Sequence, residues 1–448
     1  MNMQTQTDFD VVVVGGGAVG VMLALSLQRL NYRVAVIEQR APCFHSSNPE
    51  RVVALNYGSR CYLEALGLWD AVLATGLGDI RHIVVSEPGN RGQFDLHAGP
   101  SDVRAGQSAS ADMDALGYVV EMGALLEPMY QALHDSDIAL ISPACVESYT
   151  VADDGAQVSI QLRRGNERSI LTAALLVGAD GSFSQIRMMA GIGSYGWDHN
   201  RFGLVASIRC EHGHSNMAHE CFRSSGPLAF LPLADGRFSI VWAATPAEAT
   251  ALLAMDDEAF MTALQRAAGE PTIKRLGAIV DVSRRASFAL ELSIAKSFNQ
   301  ARMVLVGNAA HTIHPVAGQG MNLGFRDVQA LVEVLEAARK QQQNGYCDPG
   351  QAILLQAYSE NRRADVAAVA GFTESMLHVF GSAMPGMKWL RGLGLAQLGN
   401  VPILADLLLK QASGVGQIPD HLAVELESKR GDKQPVEKQT WRRKHERA

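Results

Sequence analysis

The run Phe9-Asp-Val-Val-Val-Val-Gly15-Gly-Gly17-Ala-Val-Gly20, an almost wholly apolar stretch to Leu30, and Val34-Ala-Val-Ile-Glu38 leave this chain few ways to begin folding. A β-branched strand, glycines spaced G-x-G-x-x-G, an apolar helix, a second short strand and a terminal acid spell a βαβ dinucleotide-binding unit. Gly15 permits the tight turn out of the strand, Gly17 lets bare backbone approach a pyrophosphate, and Gly20 brings the helix close to the strand. The helix start offers free N–H groups to phosphates. Glu38 is placed to bind a ribose diol, and its charge would repel a 2′-phosphate, which suits FAD or NAD better than NADP. A second G-x-G-x-x-G, Gly191 to Gly196, follows a helix tail with no strand running in and no helix running out. It reads as a loop with a helix C-cap.

The composition suits a soluble chain of one large or two ordinary cores: 448 residues, 47% hydrophobic and 19% charged. A net charge of -7 argues against a nucleic-acid binder, which would usually carry a concentrated basic surface. The N-terminus carries no signal-peptide pattern and no apolar run reaches the roughly 18–20 residues of a membrane helix, so a cytoplasmic protein is expected. The six cysteines include no C-x-x-C pair, and neither a disulfide framework nor a zinc site is expected.

Along the chain, Arg51 precedes an apolar stretch and reads equally as a surface or a cofactor contact. Ile80 to Leu96 reads as strands turned at Pro88-Gly89, and Gly99 to Asp114 as a polar excursion. Three strands between Ala144 and Leu171 form a small antiparallel meander. A separate buried strand then ends in Gly178-Ala-Asp180-Gly181, where Asp180 with Ser182 would cap the next helix, as a structural turn or as a binding loop. Strands from Gly203 to Trp242 form a second, mainly antiparallel sheet, followed by a helix over Asp257 to Ala268. Phe222, Phe230, Pro232 and Trp242 are candidates to line a pocket beneath it, or to fill its core. Near residue 307 an apolar strand delivers Gly307-Asn308-Ala-Ala-His311-Thr-Ile-His314-Pro315-Val-Ala-Gly318-Gln-Gly320-Met321-Asn322 onto a helix from Leu323 to about Lys340. Two histidines without a third ligand do not make a metal site, and none is expected. The segment 371–411 is bulky and apolar, and reads as packed helices or as a membrane- or acyl-chain-contacting surface. The last 21 residues carry a net charge of +5, as a solvated tail or an electrostatic hold on anionic lipid or a partner.

Taken together, G-x-G-x-x-G, G-A-D-G and G-N-A-A-H-x-x-H-P-x-x-G-Q-G-x-N resemble the single-component FAD-dependent aromatic hydroxylases of the para-hydroxybenzoate hydroxylase type. Tyr118-Val-Val-Glu121, Gly226 to Trp242 and Leu305 to Ala310 look most like the ubiquinone-biosynthesis branch, the 2-octaprenyl-6-methoxyphenol hydroxylases in particular. The resemblance implies an α/β fold: a Rossmann-like FAD-binding domain (1–80, 111–185 and 290–345), a mainly antiparallel β-sheet substrate domain (81–110 and 186–289), C-terminal helices (346–427) and a disordered basic tail (428–448). It implies that Gly15, Gly17, Ala18, Val19, Gly20, Glu38, Gln39, Arg51, Val146, Asp180, Gly181, Asn308, Pro315, Gly318, Gly320, Met321 and Asn322 hold FAD. Asn308 stands where most relatives carry an aspartate to the ribityl chain.

The implied activity is ring hydroxylation of a polyprenylated phenol with NAD(P)H as a transient co-substrate and O2, through a flavin C4a-hydroperoxide. No acid-base pair or triad stands out, and the catalytic residues stay unassigned. The helix N-terminus at Gly320 to Asn322 would face the flavin pyrimidine edge and stabilise charge developing there. A ubiquinone-biosynthesis complex and a peripheral hold on the inner membrane are the implied partners. A same-fold flavoenzyme with another aromatic substrate, and a non-catalytic FAD-binding subunit of a complex, are the alternatives.

Overall fold

Four consecutive valines, Val11 to Val14, are fully or nearly fully buried and set the centre of the molecule. The computed structural model describes residues 7–44, 51–89, 93–98, 114–315, 318–342, 346–381 and 413–414. The apolar segment beyond 381, the basic tail and most of the excursion after Gly99 lie outside the described residues.

The chain opens with β1 (Phe9–Val14), α1 (Ala18–Arg29) and β2 (Val34–Ile37). Next come β3 (Val52–Asn56), α2 (Tyr57–Ala65), α3 (Trp69–Ala74), β4 (Gly78–Ile80), β5 (His82–Ser86) and β6 (Gln93–His97). Then follow β7 (Gly117–Glu121), α4 (Met122–His134), β8 (Ala139–Ile141), β9 (Cys145–Val151), β10 (Val158–Arg164), β11 (Glu167–Gly178) and α5 (Gln185–Met189). The second layer is made by β12 (Ser194–Cys210), β13 (Met217–Arg223), β14 (Gly226–Pro232), β15 (Phe238–Ala244), α6 (Pro246–Ala254), α7 (Asp257–Ala268) and α8 (Glu270–Leu276). The chain returns through β16 (Ile279–Val282), β17 (Ala286–Ala295), β18 (Asn299–Gln300), β19 (Met303–Leu305) and β20 (His311–Thr312), and ends in α9 (Gln319–Lys340) and α10 (Ala352–Gly381).

Among the described residues the strands form three sheets. The first runs β18-β19-β11-β1-β2-β8, with β19, β11, β1, β2 and β8 parallel, as near-continuous runs of Val, Leu and Ile buried on both faces require. Each such side chain taken out of water contributes about 1.5–3 kcal/mol. The second, nine-stranded sheet runs β20-β17-β12-β15-β14-β13-β5-β6, with β16 on β12. The third is the short β3-β7-β4 ladder. The fold is the expected α/β architecture, with a Rossmann-like unit and a mainly antiparallel second sheet.

Three local expectations need correction. The meander's last strand and the buried strand that follows are one element, β11: its first half pairs antiparallel with β10, and its second half runs parallel to β1. Ser194 to Gly196 open the 17-residue β12 instead of continuing a loop, although Gly191, at φ +65°, does end α5. The helix expected from Leu323 begins at Gln319, because Gly318, in the left-handed conformation, ends the loop there and Gly320 lies within the first turn. β17 spans positions 289–290, so the residues on either side of that point share one strand. Among the described residues no helix is long and apolar enough to cross a membrane.

Candidate cofactor and substrate site

The three glycine-bearing loops meet at the C-terminal ends of the parallel strands, where ligands bind in open α/β sheets. Gly15 adopts φ +116°, and a Cβ on it would lie 2.3 Å from the Ala179 carbonyl oxygen at the end of β11. A Cβ on Gly20 would lie 2.0 Å from the Gly15 carbonyl oxygen. Gly17 differs, because a Cβ there would meet nothing within 4 Å. It caps α1 in extended conformation with no side-chain cap and no acid in the first turn, so the N–H groups of Ala18, Val19 and Gly20 are left for a ligand. The Val19 side chain turns inward instead, against Gly307 and Gly324.

Glu38, at the end of β2, accepts from the Gly16 amide at 2.6 Å and from the Arg40 amide at 3.0 Å. The Ala144 amide donates to the Glu38 carbonyl, which brings the start of β9, and Val146 within it, to the same end of the sheet. Gln39 and Arg51 are exposed.

In the second loop, Asp180 accepts from the Ser184 hydroxyl at 2.5 Å and from the Gln185 amide at 2.6 Å. Ser184, not Ser182, is the N-cap of α5, accepting from the Arg187 amide. Gly181, at φ +85°, faces open space. Ser182 serves the third loop: its hydroxyl accepts from Asn308 Nδ2 at 3.3 Å. Arg187 completes the join, donating to the Ser182 carbonyl at 2.8 Å and the Ala309 carbonyl at 2.7 Å. Hydrogen bonds to a charged donor contribute about 1.5–3 kcal/mol each. Arg187→Met is therefore expected to weaken FAD binding by about tenfold in a fluorescence titration, and unchanged affinity would show that the tie is dispensable.

The third loop is held from below by a buried ionic cluster. Asp327 on α9 is fully buried; it accepts from the Gly307 amide at 2.7 Å, from His311 Nε2 at 2.6 Å and from Arg362 Nε of α10 at 2.7 Å. Burial alone would push its carboxyl up, but His311 and Arg362 hold it below the usual carboxylate range. Asp365 joins Arg362 to Arg326. His311 is thus a structural partner of Asp327. His314 is buried, which pushes it down to about 3, and its ring stands edge-on to His199 at 5.3 Å. Elsewhere, His82, Asp95 and His97 bring ligand atoms within 4.8 Å of one another on the β5–β6 hairpin, the sheet edge opposite β20.

Gly318 accepts no bulk, since a Cβ would approach Ala54 at 2.7 Å, whereas Gly320 faces open space. The Gly318 amide bonds to the Pro315 carbonyl. The first turn of α9 thus presents the amides of Gly320 and Met321 at the loop. Asn322 lies one residue beyond them, and its side chain is fully committed: Oδ1 accepts from the Asn56 amide and Ser59, and Nδ2 donates to the Ala54 and Gly318 carbonyls. It clamps α9 to β3 and is not a cofactor ligand through its side chain. Open cradles at Gly17, Gly181 and Gly320, with uncapped helix starts at α1 and α9, fit the diphosphate and flat ring of FAD.

The second sheet has two faces. Phe230 and Trp242 pack with Leu204, Ile240 and Phe260 in a core against α6, α7 and α8, and alternation sets Pro232 on the same side as Phe230. These three do not line a pocket, because strand alternation points them at the helical layer. The opposite, front face carries Ala218 and Leu231 against Val52 of β3 and Val119 of β7, and Phe222 stacked on Phe380 of α10 at 4.0 Å. Between them the front face runs, in register, Val85, Glu220, Ala229, Val241 and Val205. Asp327, Arg362 and Glu220 were not singled out from sequence. Arg326-Asp327 inside an otherwise apolar helix stripe was the available signal for the first.

The FAD binding domain family matches residues 8–373. Over 92% of its length the chain is 33% identical to all of the 3-demethoxyubiquinol 3-hydroxylase of Escherichia coli (strain K12). It is 32% identical to the ubiquinone hydroxylase UbiL of Rhodospirillum rubrum, over 90% of this chain and 89% of that protein. Its fold is similar to that of the p-nitrophenol 4-monooxygenase PnpA of Pseudomonas putida DLL-E4, with a TM-score of 0.71, 20% identity, and 91% and 98% of the two chains covered.

Proposed function

Because this chain belongs to the FAD binding domain family and is a flavin-dependent hydroxylase, we propose that it hydroxylates the aromatic ring of a polyprenylated phenol in ubiquinone biosynthesis, with NAD(P)H and O2. The observation that carries this reading is the match, over 92% of this chain, to all of a 3-demethoxyubiquinol 3-hydroxylase. The apolar front face, from Val85 to Val205, supports it, since a prenylated ring needs a dry wall. A ubiquinone-biosynthesis complex and contact with a membrane surface belong to the same reading, because the substrate is lipophilic.

Bound FAD supplies the redox chemistry, taking hydride from NAD(P)H and activating O2. The residues of the chain do the rest. The α1 start, Gly17 and Glu38 would hold the adenosine diphosphate half, with Gln39, Arg51 and Val146 flanking it. Gly181, Asn308 and Pro315 would line the path to the ring, and the amides of Gly320 and Met321 would donate to its electron-rich edge. Val205, Ala229 and Val241 exclude water, which would otherwise divert the oxidant to peroxide. The test is oxygen uptake by the yellow, FAD-loaded protein with NAD(P)H and a panel of polyprenyl phenols. Uptake matched by hydroxylated product is expected; peroxide release without product from every phenol would overturn the assignment.

A further inference from the structure

We propose that Glu220 is the general base of the reaction, receiving the hydrogen bond of the substrate phenol and taking its proton as the ring is hydroxylated. This inference rests on the phenol hydroxylase reading above. Glu220 lies mid-strand on β13, with Ala218 and Phe222 on either side of it on the front face. Ala218 packs on the cluster that contains Val52 of β3, and β3 is in turn clamped by Asn322 to the start of α9. Phe222 packs on Phe380 of α10. The carboxylate is therefore set between the strand that abuts the cofactor loop and the last long helix.

Its cross-strand neighbours are Val85 and Ala229, then Val241 and Val205, so it is the one charged group in that row. The described residues form no hydrogen bond or ion pair with it, yet it keeps some accessible surface. A mid-sheet carboxylate in an apolar wall, left without a partner, is costly unless a ligand supplies one. Burial pushes its carboxyl up to about 7. A base that titrates near the working pH is the most effective kind.

Other titratable groups on the elements around it include His219, Cys221 and Arg223 on the opposite face of β13, Asp79 on β4, His82 on β5 and Glu87 after it, Glu121 ending β7, and Glu374 and His378 on α10; Asp79 pairs with Arg81 and His82 with Asp95. Glu87 and Glu121 have other partners, and Glu374 lies 3.2 Å from His199. In the step itself the phenol O–H bond breaks, its electron pair stays on the phenol oxygen, and the proton forms an O–H bond on the carboxylate. The ring becomes more electron-rich and is a better acceptor of the oxygen atom. No further reactant is consumed.

The experiment compares wild type, Glu220→Gln and Glu220→Asp, each purified with FAD. In wild type, hydroxylation coupled to NAD(P)H oxidation should rise with pH through about 7. Glu220→Gln should lose about a hundredfold or more of that rate, and its pH limb should move up toward the ionisation of the phenol itself. Glu220→Asp should keep the limb near neutrality at a reduced rate. A second readout needs no turnover: the visible ionisation of bound 4-nitrophenol should occur at higher pH in wild type than in Glu220→Gln, because two like charges disfavour one another in one site. Gln and Asp variants that behave alike, or a nitrophenol titration the same in wild type and Glu220→Gln, would overturn the role of Glu220. If wild type hydroxylates no phenol, the substrate reading falls, while the nitrophenol titration still reports on Glu220.

Discussion

Gly17→Leu is expected to give a folded protein that purifies colourless. A Cβ at that position would have no protein atom within 4 Å and φ is an ordinary -71°, so the backbone accepts the substitution without strain. The added side chain would occupy the space in which a pyrophosphate must approach the α1 amides. We expect FAD affinity to fall by more than about a hundredfold, close to 3 kcal/mol, read as flavin absorbance per mole of protein after gel filtration. Gly15→Ala and Gly20→Ala should behave differently, because a methyl group would collide with backbone at 2.3 Å and 2.0 Å. Those variants should lose soluble protein as well as flavin. Wild-type flavin occupancy in Gly17→Leu would refute the pyrophosphate site.

The second large effect lies away from any ligand. Asp327→Ala removes the carboxylate that joins the Gly307 amide, His311 and Arg362, and leaves a buried guanidinium without that partner. Breaking such a buried pair costs about 3–5 kcal/mol. The thermal midpoint should fall sharply, and flavin release should precede unfolding because the third loop hangs on this cluster. The pH dependence has a definite sign. The Asp327 carboxyl is lowered in the fold, so its contribution is present above its unfolded value, about 3.9, and is lost as pH falls through the lower folded value. Asp327→Asn should therefore flatten the acid limb of the stability curve. A midpoint within about a degree of wild type would remove Asp327 from this role.

The parts legible in the sequence were those whose signal is local. Gly15 to Glu38 announces itself because strand period, glycine spacing and helix pattern follow one another within thirty residues, and the two later loops repeat the strand-glycine-helix cue. The start of α9 was less legible, since Gly318 and Gly320 look alike as helix breakers, while only Gly318 takes the left-handed conformation. Phe230 and Trp242 show the limit of alternation: period two says that a strand has two faces but not which of them looks at the cofactor, and α6 to α8 decide it. Asp327 lies 35 and 38 positions before Arg362 and Asp365, and nothing short-range marks a charge as paired across two helices. Glu220 was invisible for a related reason, because its meaning comes from the valines and alanine on the neighbouring strands.

The pairing of β20 with β17 joins His311 and Thr312, inside the third loop, to Ile294 and Ser293 of the nine-stranded sheet. The loop proposed to face the flavin ring is thereby sewn along its flank to the second sheet. The opposite margin of that sheet is held as well, because Ile83 of β5 and Leu96 of β6 pack on the cluster of Tyr57, Ile80 and Val119. The sheet is thus fastened to the elements that carry the glycine loops at both of its edges, and neither layer can shift without loading the other.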